Sequence, residues 1–333
     1  MRAMILREQG PIETRPLALA DVATPEPGRG EVRVRVRACA VCRTDLHIVE
    51  GDLPLVKRPV VPGHQAVGVI DAAGVGASRL RVGERVGVAW LHDACDACAR
   101  CARGLENLCE AARFTGYSVD GGFAEVLVAP EAFVYRIPDG FADAEAAPLL
   151  CAGVVGYRAL RLSGARRGDR LGLFGFGASA HVVLQAARHA GCEVLVFTRG
   201  DAHRRHALDL GAAWAGGTED DPGAALDAAI LFAPSGALVP AALARLAPGS
   251  VLAVAGITLS EIPPLDYDRH LYRERVLRSV TAATRRDAEE LLAIAAAAPI
   301  RPAVEVFPLD AANDALLALK DSRIRGAGVL RID

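Results

Sequence analysis

The chain has 333 residues, is 52% hydrophobic with only 5% aromatic, and carries a formal charge of -2. That length exceeds a single-core domain, so two domains are expected, and near-neutral charge excludes a nucleic-acid partner bound on a basic face. The N-terminus (Arg2, Arg7, Glu8) lacks the apolar core of a secretory signal, and the longest apolar run, 291–300, is interrupted by Pro299. That run is about half a membrane span, which predicts a soluble, cytoplasmic protein with no membrane partner.

Along the chain, the first 150 residues read as short strands and turns. Val32, Val34 and Val36 alternate with Arg33, Arg35 and Arg37, the period of a half-buried strand. One helical segment is expected over 44–49, and further strands over 66–70, 85–90, 123–128 and 133–137. Between these falls Cys95-x2-Cys98-x2-Cys101-x7-Cys109, half of the eight cysteines within fifteen residues. Thiolates at this spacing converge on one tetrahedral ion, and four sulfurs leave no open position, which describes a structural zinc site. The intervening residues carry too little apolar bulk for a core, so metal ligation has to order the lobe. Two disulfides are the alternative, but nothing else in the chain points to an oxidising compartment.

After Cys151 strands and helices alternate. Strands are expected over 170–174, 193–197, 228–233 and 250–255, with helices over 178–190, 201–210 and 237–246. Units of this length build a parallel, doubly wound sheet. A helix over 287–298 follows, then strands over 304–307 and 329–332 that have no partner in the α/β block and should return to the first domain. Gly175-x-Gly177-x-x-Ala180 stands between a strand and a helix. There the first glycine permits a tight turn, the second admits a pyrophosphate and the small third residue lets helix pack on strand. Thr198 occupies the place of the acidic residue that binds an adenosine ribose, and Arg199 follows it. Loss of that negative charge beside a guanidinium favours NADP over NAD.

Cys42, His64 and Cys151 are further candidate metal ligands, although each alone reads equally as a buried cysteine or a satisfied histidine. Their order and context, with Gly63-His64, the four-cysteine lobe, the stretch from Thr115 to Gly122, Cys151-Ala152-Gly153 and the Gly175 turn, resemble the zinc-dependent alcohol dehydrogenases of the medium-chain dehydrogenase/reductase family. The resemblance runs over essentially the whole chain. It implies an α/β protein in which residues 1–152 and 285–333 form a GroES-like, mostly β catalytic domain. The zinc lobe occupies about 91–112 of it, and 153–284 form a Rossmann cofactor domain.

The same resemblance implies a catalytic zinc on Cys42, His64 and Cys151 and a structural zinc on Cys95, Cys98, Cys101 and Cys109. Alcohols would be interconverted with aldehydes or ketones by hydride transfer to or from NAD(P), zinc lowering the pKa of the alcohol bound at its open position. Thr44 would accept the substrate proton and pass it through the nicotinamide ribose to His47, while Asp45 orients the His64 ring. Thr44, two residues after Cys42, is expected on the same side of an extended segment. Arg43 and Arg285 would contact the cofactor, and Leu53, Trp90 and Ile257 would wall a substrate pocket made roomy by Leu53. Gln65 departs from the family's glutamate and removes a negative charge near zinc. Dimers or tetramers are expected. A zinc-free quinone or enoyl reductase of the same fold lacks the Cys/His/Cys set, and a cofactor-sensing zinc protein leaves Thr44 and His47 unexplained.

Overall fold

A computed structural model of the chain describes residues 1–298 and 300–332; Pro299, expected to interrupt the last apolar run, lies outside them. The chain divides into two compact units. The first comprises Met1–Ala152, Ala282–Ala296 and Arg301–Asp333, and the second Gly153–Thr281 and Ala297–Ile300. No helix among the described residues is long and apolar enough to cross a membrane.

In the first unit the strand Glu31–Val41 is the organising element. Val32, Val34 and Val36 are buried in the core, while the alternating arginines face outward, where Arg33 donates to Asp71 on the neighbouring strand Ala66–Ala73 at 2.8 Å. The sheet runs Val304–Pro308, Ala327–Arg331, Glu31–Val41, Ala66–Ala73, Arg85–Val88, Val134–Arg136, and Val126–Pro130 also pairs with Glu31–Val41. The two tail strands thus join the first unit, through Ala327–Arg331 antiparallel to Glu31–Val41.

Among the expected strands, those over 85–90 and 123–128 depart for reasons the backbone shows. The strand over 85–90 stops at Val88, because Leu91–Asp93 turns away to pair with Arg113–Phe114 at the base of the cysteine lobe. The strand over 123–128 begins at Val126, because residues 121 to 123 are diverted: their N–H groups donate to the carbonyls of Val61, Gly63 and Pro62.

The second unit holds six parallel strands in the order Trp214–Gly216, Glu193–Phe197, Arg170–Phe174, Leu226–Leu231, Leu246–Val254, Val276–Ser279. The chain starts in the middle, winds outward one way and then the other, so the switch point falls beside Arg170–Phe174. The helix Ala152–Ser163 goes beyond the expected elements. Its two glycines and paired valines oppose helix formation in isolation. Packing overrides propensity: at Gly156 a Cβ would lie 2.5 Å from Val183, so the glycine lets this helix approach Ala178–His189. The helix Ala312–Lys320 is likewise additional and buries Ala312, Ala315 and Leu316.

Candidate metal and cofactor sites

Cys42 ends the extended segment after Glu31–Val41 and caps the helix Arg43–Glu50. Its sulfur accepts the Thr44 N–H at 3.3 Å. Thr44 therefore stands in the first turn of the expected helix, so the extended-segment argument relating it to Cys42 does not apply; its neighbour on the same helix face is His47, three residues on.

Asp45 welds two of the candidate ligands together. One carboxylate oxygen accepts the Cys42 N–H at 2.9 Å; the other accepts the Gly63 N–H at 3.2 Å and the His64 Nδ1–H at 3.0 Å. With Nδ1 so engaged, Nε2 of His64 is directed to the Cys42 sulfur, 3.2 Å away. Gly63 has to be glycine: its φ is +96°, and a Cβ would come 2.4 Å from the Phe123 ring. Gly116 and Gly121 pack against the Gly63 backbone, where side chains would collide at 2.7 and 2.0 Å. Gly116 and Gly121 of the 115–122 stretch are thus required by the close approach behind His64.

Cys151 stands between the short turn Ala147–Leu150 and the helix Ala152–Ser163. Gln65 secures that junction: its amide donates to the Ala40 carbonyl at 3.4 Å and accepts the Ala152 N–H at 3.5 Å. A carboxylate could accept from Ala152 but could not donate to Ala40, so the departure at this position has a structural use.

The ligand atoms of Cys42, His64 and Cys151 all lie within 4.8 Å of one another. The Cys151 thiol, hydrogen-bonded to the Cys42 sulfur, pulls Cys42 well below the usual thiol range and is itself pushed up. Burial disfavours charge on His64, yet the Asp45 carboxylate and Cys42 sulfur push it up to about 10. Buried negative potential around two soft sulfurs and an imidazole nitrogen is a donor set that suits zinc. Trp90, an expected pocket wall, sets its ring edge-on to His64 at 4.9 Å and stacks on Phe114. Asp45→Asn should weaken metal affinity at this cluster by about 10–100-fold. A chelator-competition titration checks it, and an unchanged affinity would remove Asp45 from the site's support.

The four lobe cysteines also form one cluster. Their sulfurs approach to 3.5 Å (Cys98–Cys101 and Cys95–Cys109) and 3.9 Å (Cys95–Cys101), and all are free thiols. Backbone N–H groups of Ala97 and Cys98 lower Cys95 to about 6, so its sulfur is ready to ligate at neutral pH. Between 94 and 112 the only buried hydrophobic residue is Cys109, so the lobe has no core of its own. Arg285, expected among the cofactor residues, is instead engaged by this lobe. Its guanidinium pairs with Asp96 at 2.6 Å and Glu106 at 3.3 Å and lies over the Phe133 ring. Arg285 opens the helix Arg285–Ala297, and nothing in the spacing of the sequence links it to carboxylates 179 and 189 residues away.

In the second unit Gly175 closes the strand Arg170–Phe174 with φ +92°, and a Cβ there would lie 2.8 Å from the Ala233 N. Gly177 caps the helix Ala178–His189 with no side-chain hydrogen bond, and a Cβ on it would meet no protein atom within 4 Å. Ala180 is buried against the sheet. An open glycine at a twelve-residue helix's N-terminus leaves backbone N–H groups that could hold an anion such as a pyrophosphate. Thr198 follows the strand Glu193–Phe197 and is buried, while Arg199 is exposed. Arg204, which the sequence reading passed over, donates to the Thr198 carbonyl at 3.2 Å and brings a second guanidinium to this strand end. Arg43 is exposed, Leu53 packs on the first unit's core and Ile257 is half exposed in the second unit.

A parallel sheet with a glycine turn, a two-cysteine, one-histidine cluster and a four-cysteine lobe together define a medium-chain dehydrogenase of the zinc type. The alcohol dehydrogenase GroES-like domain family matches residues 28–139. Over 337 residues the chain is 48% identical to the probable alcohol dehydrogenase AdhA of Mycobacterium tuberculosis (strain CDC 1551 / Oshkosh), covering 100% of this chain and 97% of that protein. It is 38% identical over 328 residues to an alcohol dehydrogenase of Geobacillus stearothermophilus, covering 96% and 97%. Among solved structures, a cinnamyl alcohol dehydrogenase of Sorghum bicolor (L.) Moench is similar with a TM-score of 0.91 at 28% identity, over 99% of this chain and 97% of that chain. The chain belongs to the zinc-type medium-chain alcohol dehydrogenases. It is an oxidoreductase that acts on a small-molecule substrate.

Proposed function

We propose that the enzyme carries two zinc ions per chain, one catalytic and one structural, and interconverts alcohols with aldehydes or ketones using NADP in preference to NAD. The observation that carries this reading is the convergence of Cys42, His64 and Cys151 around Asp45. Three protein ligands are one short of a closed tetrahedral site, so a zinc ion there would supply Lewis acidity toward a substrate oxygen at the fourth position. The nicotinamide would supply the hydride acceptor or donor.

The chain's own residues do the rest. The Thr44 hydroxyl, at the start of the helix Arg43–Glu50, takes the proton from the substrate hydroxyl, and His47 releases it to solvent. Asp45 keeps the His64 ring in register, and Trp90 shields its edge from water. The backbone N–H groups after Gly177 would hold a pyrophosphate, and Thr198 with Arg199 would accommodate a 2′-phosphate. Leu53 and Trp90 are the proposed substrate walls on the first unit, and we expect a homodimer or homotetramer.

Initial rates on a panel of primary alcohols, with NADP and with NAD, test the reading. Arg199→Ala should raise KM for NADP by about tenfold, the worth of one charge-assisted hydrogen bond, and leave KM for NAD nearly unchanged. Equal changes in the two constants would contradict phosphate pairing and return the cofactor preference to NAD.

A further inference from the structure

We propose that His181 is a positioning residue for the cofactor: it fixes the peptide between Gly177 and Ala178 from the carbonyl side, so that the Ala178 N–H is held toward the pyrophosphate. The inference rests on the dinucleotide reading of the Gly175 turn given above. The Gly177 carbonyl accepts the His181 N–H at 3.1 Å and lies 3.3 Å from His181 Nδ1. His181 is 1% exposed, and its Nε2 is buried with no hydrogen-bond partner.

The cap of this helix creates the need for such a contact. A Ser, Thr, Asp or Asn in the capping place fixes the first turn by accepting one of its free N–H groups, and so takes a donor away from an anion. Gly177 is exposed, makes no side-chain hydrogen bond, and leaves the space of a Cβ open. The donors of the first turn stay available, but the turn is left on the residue with the most backbone freedom. His181 supplies an anchor from inside, one turn into the helix Ala178–His189. A peptide unit is planar and trans, so its carbonyl and its N–H point in opposite directions. Two donors on the Gly177 carbonyl therefore set the direction of the Ala178 N–H, outward from the helix end.

A carbonyl only accepts, so the proton in the side-chain bond belongs to Nδ1, and Nε2 keeps a lone pair. Burial lowers His181 to about 4, which leaves the ring neutral near pH 7. Aromatic packing holds the ring in place. His206, from the helix Asp201–Asp209, lies 6.2 Å from it, and Phe176, between the two glycines, meets His206 edge-on at 5.7 Å. A buried nitrogen without a partner costs stability, and a leucine would fill the space without that cost. Packing alone does not account for a histidine here, whereas the Nδ1–H on Gly177 does.

The test compares the parent with His181→Leu and His181→Asn. Nicotinamide fluorescence gives Kd for NADPH and for NADH, imidazole nitrogen NMR reads the tautomer, and melting temperature reads the fold. The parent should show His181 as Nδ1–H. His181→Leu should raise both Kd values by about tenfold, the equivalent of one hydrogen bond, because the pyrophosphate is common to the two cofactors. Its melting temperature should stay within about 4 °C of the parent's, since loss of the bond is offset by removal of the unpaired nitrogen. His181→Asn should recover most of the affinity, since its amide nitrogen hangs on Cγ as Nδ1 does and still donates to the Gly177 carbonyl. An Nε2–H tautomer in the parent, unchanged Kd values in His181→Leu, or no recovery in His181→Asn would overturn the proposal. A loss of binding that tracks a large fall in melting temperature would make His181 a structural residue and overturn it as well. A parent that binds neither cofactor removes the dinucleotide reading itself, and the proposal with it.

Discussion

Cys42→Ala is expected to reduce alcohol turnover by about a thousandfold or more while the protein stays folded. A bound metal contributes several kcal/mol of charge stabilisation in reactions of this kind, and about 4 kcal/mol is already a factor of a thousand. The fold should survive because the residues around Cys42 are supported independently of its sulfur. Asp45 still bridges the backbone of residue 42 to Gly63 and His64, and Gln65 still ties Ala40 to Ala152. One local loss remains, since the Cys42 sulfur caps the Thr44 N–H. An N-cap is worth about 1 kcal/mol, which for a chain of this size shifts melting by roughly 2–4 °C. Elemental analysis should find the zinc of the four-cysteine lobe retained. A variant that is inactive because it is unfolded, or active with the cluster broken, would contradict the assignment.

Cys101→Ser should do the opposite. Its sulfur is the one that touches both Cys95 and Cys98, so its loss opens the lobe cluster. With only Cys109 buried among the hydrophobic residues of that segment, little else holds the loop. The ion pairs of Arg285 with Asp96 and Glu106 lose their fixed partners at the same time. Melting should fall by about 10 °C, and limited proteolysis should cut first within 94–112. Material that remains folded at low temperature should keep the Cys42, His64 and Cys151 cluster and its zinc. An unchanged melting temperature with full zinc content would show that the lobe is ordered by something other than its four thiolates.

What the sequence disclosed and what it concealed divide along a physical line. The lobe is legible because its ligands are close in sequence, and metal spacing is a local property. The glycine turn is legible for the same reason: strand, turn and helix are contiguous. The Cys42, His64 and Cys151 set is separated by up to 109 residues and became readable only through resemblance. Supporting residues were the least visible. Gln65 works through two backbone groups that no periodicity links, and Arg285 finds its carboxylates 179 and 189 residues away. Phe114 stacks beneath Trp90 only because the lobe's two-stranded base brings it there. Thr44 falls within the expected helix over 44–49, but its placement relative to Cys42 was hidden because a cysteine is an uncommon helix cap.

The most direct test of a zinc-dependent alcohol dehydrogenase is the rate of alcohol oxidation with NADP as zinc is removed by a chelator and then restored, with zinc per chain measured at each step. The account predicts that the rate falls in proportion to the loss of the first zinc equivalent, while circular dichroism stays unchanged, and returns when that equivalent is restored. Turnover that persists after both zinc ions are gone, in protein that is still folded, would contradict it.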